Sequence, residues 1–197
     1  MIIGITGSSG AGKTTVCEIL NRKYNAIIIN CDKIARILSA KGSKYLEEIV
    51  ENFGKGILLS NGELNRKKLA NIIYNNKEKR QRLNSCTFKY IKEEIMEILY
   101  ALKKENIIII DAPLLFESNI NEICDVNIAV VSMNKNIQLQ RIIERDNIDL
   151  EHALSRINAQ KTNEQYINKC DLVIYNDDEK KDLNIQIEEI MTNILHF

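Results

Sequence analysis

Met1 to Thr15 reads MIIGITGSSGAGKTT, an apolar run that passes into glycine-rich sequence and then Lys13-Thr14. Gly7, Gly12, Lys13 and Thr14 fill the fixed positions of G-x-x-x-x-G-K-[ST], with Ser8, Ser9, Gly10 and Ala11 between them. This is the pattern of a phosphate-binding loop. Its glycines permit backbone angles that a Cβ would block, so successive N–H groups can converge on phosphate oxygens. Lys13 brings a point charge to the outer phosphates, and the Thr14 hydroxyl is a ligand for Mg²⁺. Thr15 continues a helix whose positive N-terminus faces the anion. The motif demands a strand before it and a helix after it, and both are present, so a glycine-rich turn without a ligand is the weaker reading. The expected occupant is a nucleoside triphosphate with Mg²⁺.

Outward from the loop, a helix is predicted over Lys13–Tyr24 and a buried strand over Ala26–Ile29, bounded by Asn25 and Asn30. Asp32 stands as the N-cap of the next helix, with Arg36 one turn on. Ligands of a doubly wound sheet sit beyond the carboxyl ends of its strands, so Asp32 is expected on the same rim as the phosphate loop. Lys41–Phe53 reads as a helix ended by Gly54 and Gly56, and Asn61-Gly62 as a turn. Glu63–Leu102 reads as a long helical tract without a convincing strand, basic at Arg66-Lys67-Lys68 and from Lys77 to Arg82.

Ile107 to Asp111 is a β-branched run ending in an acid, the clearest central strand. The only proline, Pro113, fixes the chain's exit from it. Val126–Ser132 is a further strand, and Asn136–Arg145 and Leu150–Gln160 are basic helical stretches placed to form a lid. Leu172–Tyr175 is the last strand and Leu183–Leu195 a closing amphipathic helix. The alternation predicts an α/β fold of three layers, about five parallel strands with helices on both faces. The expected division is a nucleotide-binding core of residues 1–61 and 105–197, with its lid at about 136–165, and a helical insertion at 62–104.

The 197 residues suffice for one α/β domain and not for two full ones. Lys+Arg and Asp+Glu number 27 each, a balance that argues against a protein whose main role is to coat nucleic acid. The five cysteines are scattered and never spaced C-x-x-C, so neither a disulfide framework nor a zinc site is suggested. A reducing compartment follows. No charged-then-apolar leader and no run of about 18 apolar residues is seen, and a cytoplasmic protein without a membrane span is expected.

Phosphoryl transfer asks for positioning and charge stabilisation. Asp32 reads equally as a helix cap paired with Arg36 or as the carboxylate that orients an acceptor hydroxyl and takes its proton. Asp111 reads as the second Mg²⁺ contact or as a polar strand end. Arg141 and Arg145 share a helix face, either as lid cations over the transferred phosphoryl group or as solvated surface charges. Asn168-Lys169-Cys170-Asp171 matches the N-K-x-D guanine signature, but it precedes a strand instead of following one, and Asp111-Ala112-Pro113-Leu114 lacks the glycine of the D-x-x-G switch. A signalling GTPase is therefore disfavoured.

The order GSSGAGKT, Asp32-x-x-Ala35-Arg36, Asn61-Gly62-Glu63-Leu64-Asn65-Arg66, Asp111-Ala112-Pro113-Leu114-Leu115-Phe116-Glu117, Gln138-Leu139-x-Arg141-x-x-x-Arg145-Asp146, Arg156-x-x-x-Gln160 and Asp171-x-Val173-Ile174-x-Asn176 resembles the dephospho-CoA kinases over almost the whole chain. The resemblance implies a P-loop NTPase fold and ATP-dependent phosphorylation of the ribose 3′-hydroxyl of dephospho-CoA. On it, Asp32 is the general base, Arg141 the lid arginine near the phosphates, and Asn176 the adenine contact. Arg36 and Leu115-Phe116-Glu117 face the acceptor, and the insertion at 62–104 is the CoA-side domain. The implied partners are ATP, Mg²⁺ and this small-molecule acceptor, without nucleic acid or membrane, in a monomer or weak homo-oligomer. Two departures stand out: Asn30-Cys31-Asp32 where the family commonly has Asp-x-Asp, and Phe88-Lys89 where it usually has His-Pro. Another P-loop small-molecule kinase is the alternative, and a nucleotide-switched binding protein a more distant one.

Overall fold

Five strands, β1 (Ile2–Thr6), β2 (Ile27–Asn30), β3 (Ile108–Asp111), β4 (Val126–Val131) and β5 (Leu172–Tyr175), form one sheet in the order β2-β3-β1-β4-β5. β1 runs parallel to β3 and β4, and β4 to β5, with Ile5 opposite both Asp111 and Ile128. The computed structural model describes residues 1–74, 76–102, 106–177 and 183–195. Among these lie nine α-helices: α1 (Lys13–Tyr24), α2 (Cys31–Leu38), α3 (Lys44–Phe53), α4 (Arg66–Tyr74), α5 (Lys77–Ala101), α6 (Lys135–Asp146), α7 (Leu150–Asn158), α8 (Asn163–Ile167) and α9 (Leu183–Leu195). None of the described helices is long and apolar enough to cross a membrane. The chain divides into two compact units, Met1–Ile29 with Lys104–Phe197, and Asn30–Lys103.

In the first unit, successive side chains of each strand turn to opposite faces of the sheet. Ile3, Ile5, Ile109, Ile128, Val130 and Ile174 pack on one face with Val16, Cys17, Ile19 and Leu20 of α1 and with Ile187 and Met191 of α9. Ala129, Val131 and Val173 turn to the other face, where Tyr166 and Ile167 of α8 pack against them. Three layers result, as the alternation of apolar runs predicts. Asp171, the acid of the guanine-like signature, receives the Asn127 N–H at 2.7 Å and gives its own to Asn127 O at 2.9 Å. That short segment clamps the starts of β4 and β5, a structural task.

The second unit is helical, around Tyr45, Leu46, Ile49, Ile57, Leu64, Leu69 and Cys86. The helix expected from Lys41 begins at Lys44, because Gly42 has φ +81° and Ser43 caps the first turn, its Oγ accepting the Leu46 N–H at 3.0 Å. The turn at Asn61-Gly62 closes a single antiparallel bridge between Leu58 and Leu64. The tract beyond it is two helices, the second capped by Asn76, whose Oδ1 accepts the Lys79 N–H at 2.9 Å. The insertion expected at 62–104 thus falls in a unit that begins earlier, at Asn30. Phe88 and Lys89 lie in the middle of α5, where the Lys89 ammonium sits 5.1 Å from the Tyr90 ring centroid. A proline at 89 would remove a hydrogen bond from this helix; with lysine it runs unbroken from Lys77 to Ala101.

Candidate active site

β1 delivers the chain to Gly7 at the carboxyl edge of the sheet. There φ is +145°, and a Cβ would stand 2.0 Å from Val130 O on β4, so only glycine fits between loop and sheet. Gly12 closes the loop at φ +90° and is the residue before α1. A Cβ there would meet Asn176 Nδ2 at 1.9 Å. The loop between is held from within and from outside. Lys13 Nζ reaches back to Gly7 O at 2.7 Å and Ser8 O at 3.2 Å, and Ala11 N–H donates to Ser8 O at 3.3 Å. Thr14 and Thr15 are exposed in the first turn of α1, where N–H groups have no partner further back in the helix.

Asn176, just past β5, donates its Nδ2 to Ala11 O at 2.8 Å and its backbone N–H to Val131 O at 2.8 Å. Its carbonyl accepts Arg141 Nη1 at 3.2 Å, and the same nitrogen donates to Gly10 O at 3.3 Å. Loop, α6 and the end of the last strand therefore meet at one point, and the sequence candidates Gly10, Ala11, Gly12, Arg141 and Asn176 are brought together. On the other side of the loop Gln138, 5% exposed, donates to Ser8 Oγ at 2.7 Å. Gln160 Oε1 accepts the Ser9 N–H at 2.7 Å, and Arg145 Nη2 donates to Ser9 Oγ at 3.1 Å. A cavity of about 350 Å³ opens there, lined by Ser8, Lys135, Gln138, Gln160 and Lys161 among others.

Asp111 ends β3 opposite Ile5 and is 6% exposed. Its charge is felt at Cys17 of α1, where burial foremost and the Asp111 carboxylate next push the thiol up to about 12, against an opposing pull from Lys13. Leu115, fully buried, lies against Gly4, where a Cβ would be 3.0 Å from its Cδ2. Phe116 and Glu117 reach further out: Glu117 pairs with Lys161 at 2.5 Å, and the Lys161 and Lys169 ammoniums stand 6.0 and 5.3 Å from the Phe116 ring centroid.

Asp32 and Arg36 belong to the second unit. The N-cap of α2 is Asn30, whose Oδ1 accepts the Lys33 N–H at 2.8 Å. The capping task that spacing offered to Asp32 is therefore taken by its neighbour, and Asp32 is an exposed carboxylate in the first turn. Arg36, in the last turn, is also exposed; its carbonyl accepts Arg66 Nη2 at 3.3 Å, and the same nitrogen donates to Ser39 Oγ at 2.6 Å.

Several contributors carry no role in the sequence reading. Gln138 and Gln160 stand in its motifs only as letters. Asp177, 8% exposed, accepts Ser132 Oγ at 2.7 Å and the N–H groups of Met133 and Asn134 at 3.0 Å each, and so ties the end of β5 to the start of α6. No local pattern announces it, because its partners lie more than forty positions away.

The family model described as dephospho-CoA kinase matches residues 1–182 of the chain. A dephospho-CoA kinase of Fusobacterium nucleatum is 42% identical over 194 residues, 98% of each chain. Among solved structures, a dephospho-CoA kinase from Campylobacter jejuni superposes with a TM-score of 0.68 at 31% identity, covering 98% of this chain and 96% of its own. A Thermus thermophilus protein gives a TM-score of 0.81 at 24% identity over 100% of this chain and 96% of its own, a likeness of fold.

Proposed function

The chain belongs to the dephospho-CoA kinase family, and from that membership we propose that it transfers the γ-phosphoryl group of ATP to the ribose 3′-hydroxyl of dephospho-CoA, giving coenzyme A and ADP. The observation that carries the reading is the loop from Gly7 to Thr14, with Lys13 folded over its carbonyls and Arg141 and Asn176 closing its far side. A loop of this kind cradles a nucleoside triphosphate through its backbone N–H groups.

In the proposed step, the 3′-oxygen attacks the γ-phosphorus in line and the bond from that phosphorus to the β,γ-bridging oxygen breaks. Asp32 orients the hydroxyl and takes its proton, and ADP leaves. Asp32 is suited to this because its carboxylate is exposed and Asn30 satisfies the helix end. Lys13 and Arg141 stabilise charge spreading over the transferred group; nucleotide binding draws them from the loop carbonyls they now hold. The Thr14 hydroxyl and the Asp111 carboxylate are hard oxygen donors of the kind Mg²⁺ takes, and one or two such protein ligands suffice when phosphates complete the shell. Bound there, Mg²⁺ would neutralise charge on the β- and γ-phosphate oxygens.

Asn176 serves the adenine. The acceptor contacts are Arg36, Phe116 and Glu117, with Leu115 fixing the last two from below. The insertion at 62–104 forms the acceptor side and residues 136–165 the lid. Five free cysteines suit a protein working in the reducing cytoplasm. The test is the product of ATP and dephospho-CoA: phosphorus NMR and mass spectrometry are expected to find one new phosphomonoester on the ribose 3′ position. A phosphate at another position, or none, refutes the reading.

A further inference from the structure

The catalytic scheme employs Lys13, Arg141 and Asp32 and leaves a second cationic cluster of the first unit without a role. Arg145, near the end of α6, gives Nε to Asp146 Oδ1 at 2.9 Å and Nη2 to Asp146 Oδ2 at 2.8 Å. Arg156, on α7, donates Nη1 to the same Oδ2. The Asp146 side chain is 21% exposed, against 57% and 45% for the two arginines. The carboxylate is therefore the inner element, and both cations extend outward from it.

The cluster ends on the phosphate loop. Arg145 Nη2 donates to Ser9 Oγ, and Gln160, four residues beyond Arg156, accepts the Ser9 N–H. Ser9 is thus gripped at its hydroxyl from α6 and at its backbone from the segment that follows α7. A two-point contact between a guanidinium and a carboxylate is directional as well as strong. A long arginine without it would spread over many rotamers, and two like charges would face each other at the α6–α7 junction.

We propose that Asp146 is a positioning residue for nucleotide binding: it holds Arg145 on the Ser9 hydroxyl and, through Arg156, seats the segment that carries Gln160 on the Ser9 N–H. The leading half of the phosphate loop is then set before the nucleotide arrives. Loop preorganisation serves bound ATP and the transition state alike, so its loss raises KM for ATP more than it lowers kcat. The inference deepens the kinase reading and rests on its nucleotide-binding part.

The experiment compares wild type, Asp146→Asn, Arg145→Gln and the double variant, in steady-state kinetics with dephospho-CoA and in calorimetric titration with ATP. Asp146→Asn is expected to raise KM and Kd for ATP about tenfold and to leave KM for dephospho-CoA within about twofold. Because Asp146 acts on Ser9 through Arg145, the double variant is expected to bind ATP no more weakly than the weaker single variant. An ATP Kd in Asp146→Asn within about twofold of wild type, or fully additive losses in the double variant, overturns the proposal. Should Asp146→Asn fail to fold, Arg156→Gln carries the test. Among the described residues Arg156 pairs with Asp146 and not with the loop, so an unchanged ATP Kd in Arg156→Gln overturns it and a weakened one supports it. If wild type binds ATP but phosphorylates no dephospho-CoA, the acceptor reading fails, while the titrations still decide the role of Asp146.

Discussion

Of the two tasks that spacing offered to Asp32, the capping of α2 falls to Asn30. An asparagine side chain accepts an N–H of the first turn as well as an aspartate does, and Asn30 does so for Lys33. The departure from Asp-x-Asp at position 30 therefore leaves the helix end capped, and the proposed general base, Asp32, is not needed for that cap. Asp32→Asn is expected to lower kcat by about 10²–10⁴-fold, the usual share of a general base, with KM for ATP little changed and the melting temperature unaltered. Turnover near that of wild type in the folded variant removes Asp32 from the mechanism. Gly7 illustrates the opposite case: its identity was legible in the motif, but the reason, the Val130 carbonyl 2.0 Å from where a Cβ would be, needed the strand beside it.

Helices and strands whose apolar residues repeat regularly were the most readable elements. α1 and α9 start and stop where the pattern puts them, and the buried positions of β3 and β4 are apolar apart from Asp111, the acid that ends β3. α8 shows no apolar period, although Thr162-x-x-Gln165 is a capping box, with Thr162 Oγ1 accepting the Gln165 N–H at 3.3 Å and Gln165 Oε1 accepting the Thr162 N–H at 2.9 Å. Five residues are too few for an apolar period to show. The two helices flanking the α6–α7 junction are legible in sequence, but the pairing of Asp146 with Arg156, ten residues on, and the reach of Arg145 to Ser9 are set by the fold. The Asp146 cluster also gives a pH dependence. Hydrogen bonding from Arg145 foremost, with the charges of Arg145 and Arg156, holds the Asp146 carboxyl below its ordinary 3.8. A depressed folded-state value means that the stabilisation is complete above the unfolded value and is lost as pH falls through the folded one. Chemical denaturation is expected to show a stability gap between wild type and Asp146→Asn that is constant from about pH 5 to 8 and shrinks below about pH 4. A gap independent of pH down to the acid transition contradicts the ion pair.

For the whole molecule, the sheet order β2-β3-β1-β4-β5 makes β1 the strand at which the chain's connections diverge, with β3 on one side and β4 on the other. Ligands of open α/β sheets bind at such a point, outside the carboxyl ends of the strands, and the phosphate loop follows from β1 there. The strand–loop–helix context of that loop was legible in fifteen residues, because the motif is tied to it, and the order of the strands was not. The compact unit that holds the expected insertion begins at Asn30, since α2 and α3 pack with α5, in α3 through side chains whose partners lie about forty residues away, as Tyr45 does with Thr87 and Glu48 with Tyr90. Periodicity reports which face of a helix is apolar and not which helix will cover it. The function of the whole chain turns on its acceptor, and the most direct measurement is ADP release by the purified protein with ATP and Mg²⁺ in the presence of dephospho-CoA, adenosine or a nucleoside monophosphate. A large stimulation by dephospho-CoA alone is the predicted result; stimulation by another acceptor in its place, or by none, would contradict it.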